Sequence, residues 1–138
     1  MSPLLFIHIP KTAGTSFNKS AEQLFGVPAF ERDYGAGSPD TSPLVTKYIY
    51  GETQDTFAFH QAFLAGEKQW MTGHVFAETY LHLFGAANSI AFVRDPVERV
   101  ISEYHHRRTH FDLDRDFVDF YRDPGETNKQ FRLDRPRR

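Results

Sequence analysis

Two short apolar runs, each followed by a polar turn and then by helical periodicity, organise the chain. The first run is Leu4–Ile9, which is nearly continuous in apolar residues and stops at Pro10. The second is Ser89–Val93, which stops at Arg94. Continuous apolar runs of this length are typical of strands buried on both faces of a parallel sheet. Strands that alternate with helices predict an α/β fold, in which these two runs are adjacent central parallel strands.

Each run leads into a predicted helix. Thr15 or Ser16 is expected to cap the first helix, and Gly26 is expected to end it. Its buried face is predicted to consist of Phe17, Ala21, Leu24 and Phe25. In the second helix, Asp95 is a good N-cap and Pro96 suits the first helical position. Its buried face is predicted to consist of Val97, Val100, Ile101 and Tyr104.

The rest of the chain carries weaker patterns. Tyr34–Pro43 is rich in Gly, Pro and Ser and is interpreted as a surface loop. Short strands are predicted at Lys47–Tyr50 and Thr56–Phe59, and helices at Ala77–Phe84 and Asp116–Tyr121. A chain of 138 residues is large enough to bury a core, so residues 1–138 are interpreted as a single domain.

Composition and charge exclude several classes of function. The chain has no cysteine, which excludes disulfides, thiolate metal sites and cysteine nucleophiles. Its net charge of −2 gives no global attraction to nucleic acid or to an anionic membrane, so any anion site must be local. No apolar run is long enough to span a membrane, and no signal peptide is recognisable, so a cytoplasmic protein is expected.

The turn Pro10–Ser16 has the residue types of an anion site. Amides at a helix start carry partial positive charge, Gly14 permits close approach of the backbone, and Lys11 adds a full charge. Thr15 and Ser16 add hydroxyl donors. The turn is not a Walker A loop, because its lysine precedes the glycine. Taken alone, a capped helix with a solvent-exposed lysine would explain the same residues.

Arg94 and Ser102 form a second candidate anion site. Arg94 offers a phosphate a planar set of donors, and Ser102 lies two turns into the following helix. Both turns emerge at the carboxyl edge of a parallel sheet, where open α/β folds bind ligands. The two sites therefore suit a ligand with two separated anionic groups. Two alternatives stay open: Arg94 could pair with Asp95 or Glu98, and Ser102 could be only a small helix residue.

These segments resemble the cofactor motifs of the sulfotransferase family. Phe6–Ser16 is similar to the family's 5′-phosphosulfate loop, and Phe92–Tyr104 is similar to its 3′-phosphate motif. Between them, Gly73–Val75 resembles the segment that bears the catalytic histidine in the uronosyl 2-O-sulfotransferase branch. Farther along, Asn128–Arg132 is similar to a weaker Asn-x-Gln-x-Arg element.

The resemblance implies a P-loop-like, three-layer α/β/α fold. It also implies transfer of a sulfuryl group from 3′-phosphoadenosine 5′-phosphosulfate (PAPS) to a hydroxyl, which leaves the bisphosphate PAP and requires no metal. The acceptor would be a carbohydrate or another hydroxyl-bearing small molecule. His74 would be the general base, and Lys11 would stabilise the leaving phosphate. Arg94 and Ser102 would hold the 3′-phosphate. The 5′-phosphate would be held by Lys11, Thr12, Ala13, Gly14, Thr15 and Ser16.

Two departures from the family pattern leave alternatives. The 2-O branch usually shows His-Gly-His, whereas Thr72 replaces the first histidine here, so His60 and Glu78 are reserve candidates for the base. Family catalytic domains are typically longer, which implies a chain that is short at its C-terminus. A soluble fragment of a Golgi-lumenal enzyme is therefore the alternative to a cytoplasmic protein.

Other functions fit part of the same pattern. A PAP-binding remnant without activity would keep both anion sites. A kinase-like nucleotide enzyme is disfavoured, because the chain lacks the Walker A order and an evident acidic strand end for magnesium. His106 and His110 are one helical turn apart, near His105, and suggest a metal site. Without a patterned carboxylate nearby, a solvated helix face is the favoured interpretation.

Overall fold

The computed structural model describes residues 2–125 of the chain. The strands are β1 (Leu4–Ile7), β2 (Phe30–Asp33), β3 (Trp70–Gly73) and β4 (Ser89–Ala91). The α-helices are α1 (Gly14–Phe25), α2 (Pro43–Tyr48), α3 (Thr56–Ala65), α4 (Ala77–Phe84), α5 (Pro96–His110) and α6 (Phe117–Arg122). Short 3₁₀ turns at Val27–Ala29 and Ala86–Asn88 precede β2 and β4.

The strands form one parallel sheet in the order β2-β3-β1-β4. Leu5 of β1 is in register with Met71 on one side and with Ser89 on the other. The predicted parallel pairing of the two apolar runs is therefore confirmed. Only the first run is central, because β4 lies at the edge of the sheet within residues 2–125. This strand ends at Ala91, and Val93, predicted to continue it, is 77% exposed.

Helix α1 covers one face of the sheet. Phe6 is fully buried there, with Trp70 from the neighbouring strand and Ala21 from the helix. A buried polar bridge joins the layers. The Asn18 side chain donates to Thr72 Oγ1 at 3.2 Å and accepts from Trp70 Nε1 at 3.0 Å. Because these buried donors have acceptors, the bridge fixes the helix on the sheet without the penalty of unpaired polar groups.

Helices α2, α3 and α4 cover the opposite face. The buried side chains of this face are Leu5, Val45, Phe59, Phe63, Met71, Val75, Tyr80 and Phe84. Burial of one large apolar side chain contributes roughly 1.5–3 kcal/mol, so this cluster is the main anchor of the three helices. Helices on both faces of a parallel sheet make a three-layer α/β/α architecture, which confirms the predicted fold class.

The two short strands predicted in the middle of the chain are wrong. Lys47–Tyr50 lies in α2 and the turn after it, and Thr56–Phe59 opens α3. Pro43 occupies the first position of α2, where its fixed φ favours a helix. The side chain of Asp55 accepts a hydrogen bond of 2.8 Å from a main-chain N–H in the first turn of α3. These start signals outweigh the strand preference of the aromatic and β-branched residues.

Helix α1 lacks the expected cap. Its N-cap is Ala13, which has a φ of 68°, and no side chain bonds to the helix start. Neither Thr15 nor Ser16 therefore has the capping role predicted for it. The buried face is narrower than predicted, and it leaves Leu24 75% exposed. The buried residues of α1 are Gly14, Asn18 and Ala21.

Helix α5 starts as predicted but buries a different face. Asp95 accepts two hydrogen bonds of 3.0 Å from N–H groups of the first turn. Val97 and Ile101, predicted to be buried, are exposed. The buried residues of α5 are Arg99, Glu103 and Tyr104. Tyr104 packs against Phe120 of α6 with ring centroids 5.4 Å apart, so contact with the next helix helps to select the buried face.

Two predicted helices are confirmed, and one predicted element is not tested. Helix α4 has the predicted bounds, and Gly85 ends it with a φ of 77°. The helix expected over Asp116–Tyr121 is α6, with Asp116 as its N-cap. The Asn128–Arg132 element lies outside the described residues. Over residues 2–125, no helix combines the length and the apolar character needed to cross a membrane.

Candidate functional site

Three strand ends and helix α5 surround one cleft at the carboxyl edge of the sheet. The turn after β1, His74 after β3 and Arg94 after β4 emerge at this edge because the strands are parallel. The cleft has a volume of about 850 Å³. It is lined by His8, Pro10, Lys11, Ala13, Gly14, Thr15, His74, Arg94, Ser102, Glu103, His106, Arg107 and Phe111.

Most of the predicted site residues share this cleft. The central set consists of Lys11, His74, Arg94 and Ser102, and the turn adds Ala13, Gly14 and Thr15. Thr12 and Ser16 are not among the lining residues. Thr12 is buried and donates its hydroxyl to the Ile9 carbonyl at 2.8 Å, so this group holds the turn together. Ser16 is exposed on α1, outside the cleft.

The turn after β1 has an unusual backbone. Lys11 and Ala13 both have a φ of 68°, in the left-handed region that non-glycine residues seldom occupy. Such strained conformations persist only where the surrounding structure holds them, and they cluster at functional sites. The first N–H groups of a helix have no intrahelical acceptor, and no side chain caps α1. The amides at its start are therefore suited to an anion.

Gly14 lies directly against the side chain of His8. A Cβ on Gly14 would lie 2.6 Å from Nε2 of His8 and closer still to Cδ2. The His8 ring is only 7% exposed, so it has little room to move aside. The glycine is therefore required for close packing between the turn and the end of β1.

Three rings meet at the base of the cleft. The His74 ring contacts the His8 and Tyr34 rings edge-on, with centroids 4.9 Å apart in both pairs. Burial, and then the neighbouring His74, lower the pKa of His8 to about 4. Burial raises the pKa of Tyr34. His8 and Tyr34 are therefore neutral near pH 7, and they hold His74 without adding charge.

Asp33, at the end of β2, links the main chain at His74 to two tyrosine hydroxyls. The main-chain carbonyl of Asp33 accepts a hydrogen bond from the His74 N–H at 3.0 Å. The Asp33 side chain accepts from the hydroxyls of Tyr50 and Tyr80 at 2.7 Å each. Burial and the Asp33 charge raise the pKa of Tyr80, so its hydroxyl stays a donor. The end of β2 is thereby tied to the helical layer beneath it.

Two arginines of the cleft form ion pairs along α5. Arg94 contacts Glu98 at 3.2 Å, and both side chains are exposed. Arg107 contacts Glu103 at 3.0 Å. An exposed pair such as the first contributes no more than about 1 kcal/mol, so an anion can compete for Arg94. With Lys11, the arginines give the cleft an excess of positive charge although the chain carries −2.

The family model that matches this chain has the description "Sulfotransferase family" and covers residues 2–134, nearly the whole sequence. The chain belongs to the sulfotransferase family. No curated protein and no solved structure gives a significant match to it. Members of this family transfer sulfuryl groups, so the cleft is a candidate active site of a sulfotransferase.

The reserve bases lie away from this cleft. His60 lies on α3 and packs on Phe84 with ring centroids 5.6 Å apart, and Glu78 is exposed on α4. Neither residue lines the cleft. Thr72, which stands where the 2-O branch usually has a histidine, is fully buried and bonded to Asn18, so this position belongs to the core.

The histidines of α5 lie partly at the cleft and partly in solvent. His106 lines the cleft and packs on His110, with ring centroids 4.8 Å apart. Partial burial and the nearby Lys11 charge lower the pKa of His106. Within the part of the chain that the structure describes, no group of three or more possible metal-ligating side chains occurs. His105 and His110 are exposed, in agreement with a solvated helix face.

Sequence reasoning missed several residues of the cleft. His8 was counted as part of an apolar strand run, and the signal that could have identified it is a histidine within that run. Glu103, His106 and Arg107 of α5 also line the cleft, and of these only His106 was considered from the sequence, as part of a solvated helix face. Only the position of α5 beside the turn shows that these side chains line the cleft.

Proposed function

We propose that this protein transfers a sulfuryl group from PAPS to a hydroxyl of a carbohydrate acceptor. The observation that carries the proposal is the meeting of the uncapped start of α1 with Lys11, His74, Arg94 and Ser102 in one cleft. The resemblance of Gly73–Val75 to the uronosyl 2-O branch supports a sugar hydroxyl as the acceptor.

The residues of the cleft fit a donor with two separated anionic groups. The amides of Gly14 and Thr15, together with Lys11, suit a phosphosulfate at the start of α1. Arg94 and Ser102 suit a second phosphate beside α5, and a 3′-phosphate is the group that distinguishes PAPS from ATP. A volume of about 850 Å³ is within the range of pockets that enclose ligands of this size.

The chemistry asked of the protein is positioning, charge stabilisation and removal of one proton. When bound, PAPS supplies the sulfuryl group and leaves as PAP. Lys11 neutralises the negative charge that develops at the phosphate, and the amides at the start of α1 stabilise the same charge. His74 takes the proton of the acceptor hydroxyl, and an imidazole is suited to that role near neutral pH. Arg94 and Ser102 hold the 3′-phosphate and so fix the position of the donor in the cleft.

The cofactor is tested by calorimetric titration with PAP, 5′-AMP and ATP, with and without magnesium. We expect a preference for PAP that Arg94→Ala removes. Arg108→Ala is the matched control, because Arg108 lies on α5, contacts the Tyr104 hydroxyl at 3.2 Å and does not line the cleft. Preference for ATP with magnesium would instead support a kinase-like enzyme, and no binding of PAP would refute the proposal.

Turnover separates an enzyme from a non-catalytic PAP-binding protein. We expect PAP release from PAPS in the presence of a suitable sugar acceptor, and His74→Ala should lower kcat by about 100-fold or more while PAP binding persists. His60→Ala is the control, since His60 lies outside the cleft. Tight binding of PAP without turnover across sugar acceptors would favour the binding protein.

A further inference from the structure

His8 lies between the two halves of the proposed site. On one side its ring lies against Gly14, at the start of α1. On the other side the ring meets His74 edge-on, with centroids 4.9 Å apart. The main-chain N–H of His8 donates to the Gly73 carbonyl at 2.9 Å, which fixes the residue beside the strand that leads to His74. One side chain therefore touches both the anion turn and the candidate base.

The His8 ring is neutral over the physiological pH range. Burial and the neighbouring His74 lower its pKa to about 4, so it adds no charge for an anion to meet. A neutral imidazole offers one hydrogen-bond donor and one acceptor. His8 can therefore orient a neighbouring group by a hydrogen bond, but it adds no charge to the cleft.

One ring nitrogen of His8 makes no hydrogen bond among the described residues. This atom, Nδ1, is buried. An unpartnered buried nitrogen destabilises a fold relative to an apolar ring of similar shape. The ring already stacks on Phe6, with centroids 5.8 Å apart, so phenylalanine would satisfy the packing at this position. A polar group kept at a cost in stability is typical of a functional site.

We propose that His8 is a positioning residue that orients His74 for proton removal by means of this unpartnered nitrogen. The inference rests on the proposed role of His74 as the base. The two rings contact each other with centroids 4.9 Å apart, and a hydrogen bond between a nitrogen of each ring would determine which nitrogen of His74 carries its proton. His8 gains and loses no proton in the reaction, and the proton of the acceptor stays on His74.

The test compares His8→Phe, His8→Asn and the control His60→Phe, a half-buried histidine that packs on an aromatic ring outside the cleft. We expect His8→Phe to raise Tm by about 2–6 °C, because it removes the unpartnered nitrogen. The same variant should lower kcat by about 10- to 100-fold with little change in the affinity for PAP. His8→Asn retains a polar group near the position of Nδ1 and should recover part of kcat.

A purely structural role makes the opposite prediction, since a variant that stabilises the fold should then keep its activity. Wild-type kcat in His8→Phe would overturn the proposal. If His8→Phe does not fold, His8→Asn decides: kcat no higher than that of His8→Ala would count against a role for the nitrogen. The ¹⁵N chemical shifts of His74 give a second readout. One tautomer in the PAP complex of the wild type should become a mixture in His8→Phe but not in His60→Phe, and unchanged tautomers would refute the proposal.

Failure of the proposed function gives a different result from failure of this inference. A wild type that does not bind PAP refutes the cofactor assignment before His8 is considered. The Tm comparison between His8→Phe and His60→Phe still applies in that case. No rise in Tm for His8→Phe would show that the nitrogen is not an unmet polar group, and it would remove the basis of the inference.

Discussion

Gly14 has no side chain because the His8 ring occupies the space where a Cβ would lie. We expect Gly14→Ala to lower the free energy of unfolding by about 1–3 kcal/mol through overpacking, which exceeds the gain of up to about 1 kcal/mol from better helix propensity. Urea unfolding measures the difference. Gly37→Ala is the control, since a Cβ on Gly37 would meet no atom within 4 Å. A Gly14→Ala variant as stable as the wild type would contradict the close contact.

The candidate site shows which residues a sequence can identify. Lys11, Arg94, Ser102 and His74 could be predicted, because local motifs at strand ends place them and parallel strands bring those ends to one edge. The role of Thr12 in holding the turn was not predictable, since it depends on a hydrogen bond to Ile9. His8 was missed for a related reason. Burial against Gly14 and His74, rather than the type of its neighbours in sequence, makes it distinctive.

Helix α5 carries Ser102, and its N-cap Asp95 directly follows Arg94, so this cap should matter to ligand binding as well as to stability. We expect Asp95→Ala to cost about 1 kcal/mol of stability and to weaken PAP binding several-fold, because the first turn beside Arg94 frays. Asp95→Asn should restore both properties, since asparagine also caps helices. Chemical denaturation and calorimetry make the two measurements.

The matched control for this cap is Asp116, which caps α6 through the Asp119 N–H at 2.8 Å. Residues of α6 do not line the cleft. Asp116→Ala should therefore lose stability while its affinity for PAP stays at the wild-type level. Equal losses of affinity in Asp95→Ala and Asp116→Ala would mean that the position of α5 does not govern binding.

Among the helices, the predictions that succeeded were those with both a periodic pattern and an end signal. Helix α4 has its glycine stop, and α5 has its aspartate cap. The strands predicted at Lys47–Tyr50 and Thr56–Phe59 rested on residue preference alone, which tertiary packing and helix starts overrode. The buried face of α5 depends on contact between Tyr104 and Phe120, which the periodicity of α5 does not contain.

The stability of the folded chain should depend on pH through His8. Its pKa is lowered to about 4 on folding from an ordinary value of 6.5, so the unfolded chain binds this proton more readily. The stability that the neutral His8 ring contributes is fully present above about pH 6.5 and is lost as the pH falls towards 4. We expect a loss of roughly 1–2 kcal/mol from this group, since partial access of water at the cleft reduces the full effect.

Urea unfolding at pH 7 and at pH 4.5 measures this dependence. Carboxylates and other histidines also titrate in the interval, so the comparison with His8→Phe isolates the contribution of His8. The variant should lose less stability on acidification than the wild type. Equal losses of stability between pH 7 and pH 4.5 in the two proteins would show that the pKa of His8 does not change on folding.

Strand β1 pairs with two strands that are distant from it in sequence, through Leu5 with Met71 and Leu5 with Ser89. Parallel pairings of this kind close long loops, and chains with such a high contact order fold slowly. During synthesis the turn Pro10–Ser16 leaves the ribosome before the strands and the helix that complete its surroundings. The first anion motif to be translated therefore gains its partners only when β4 and α5 have joined the sheet, and until then its apolar strand depends on protection from aggregation.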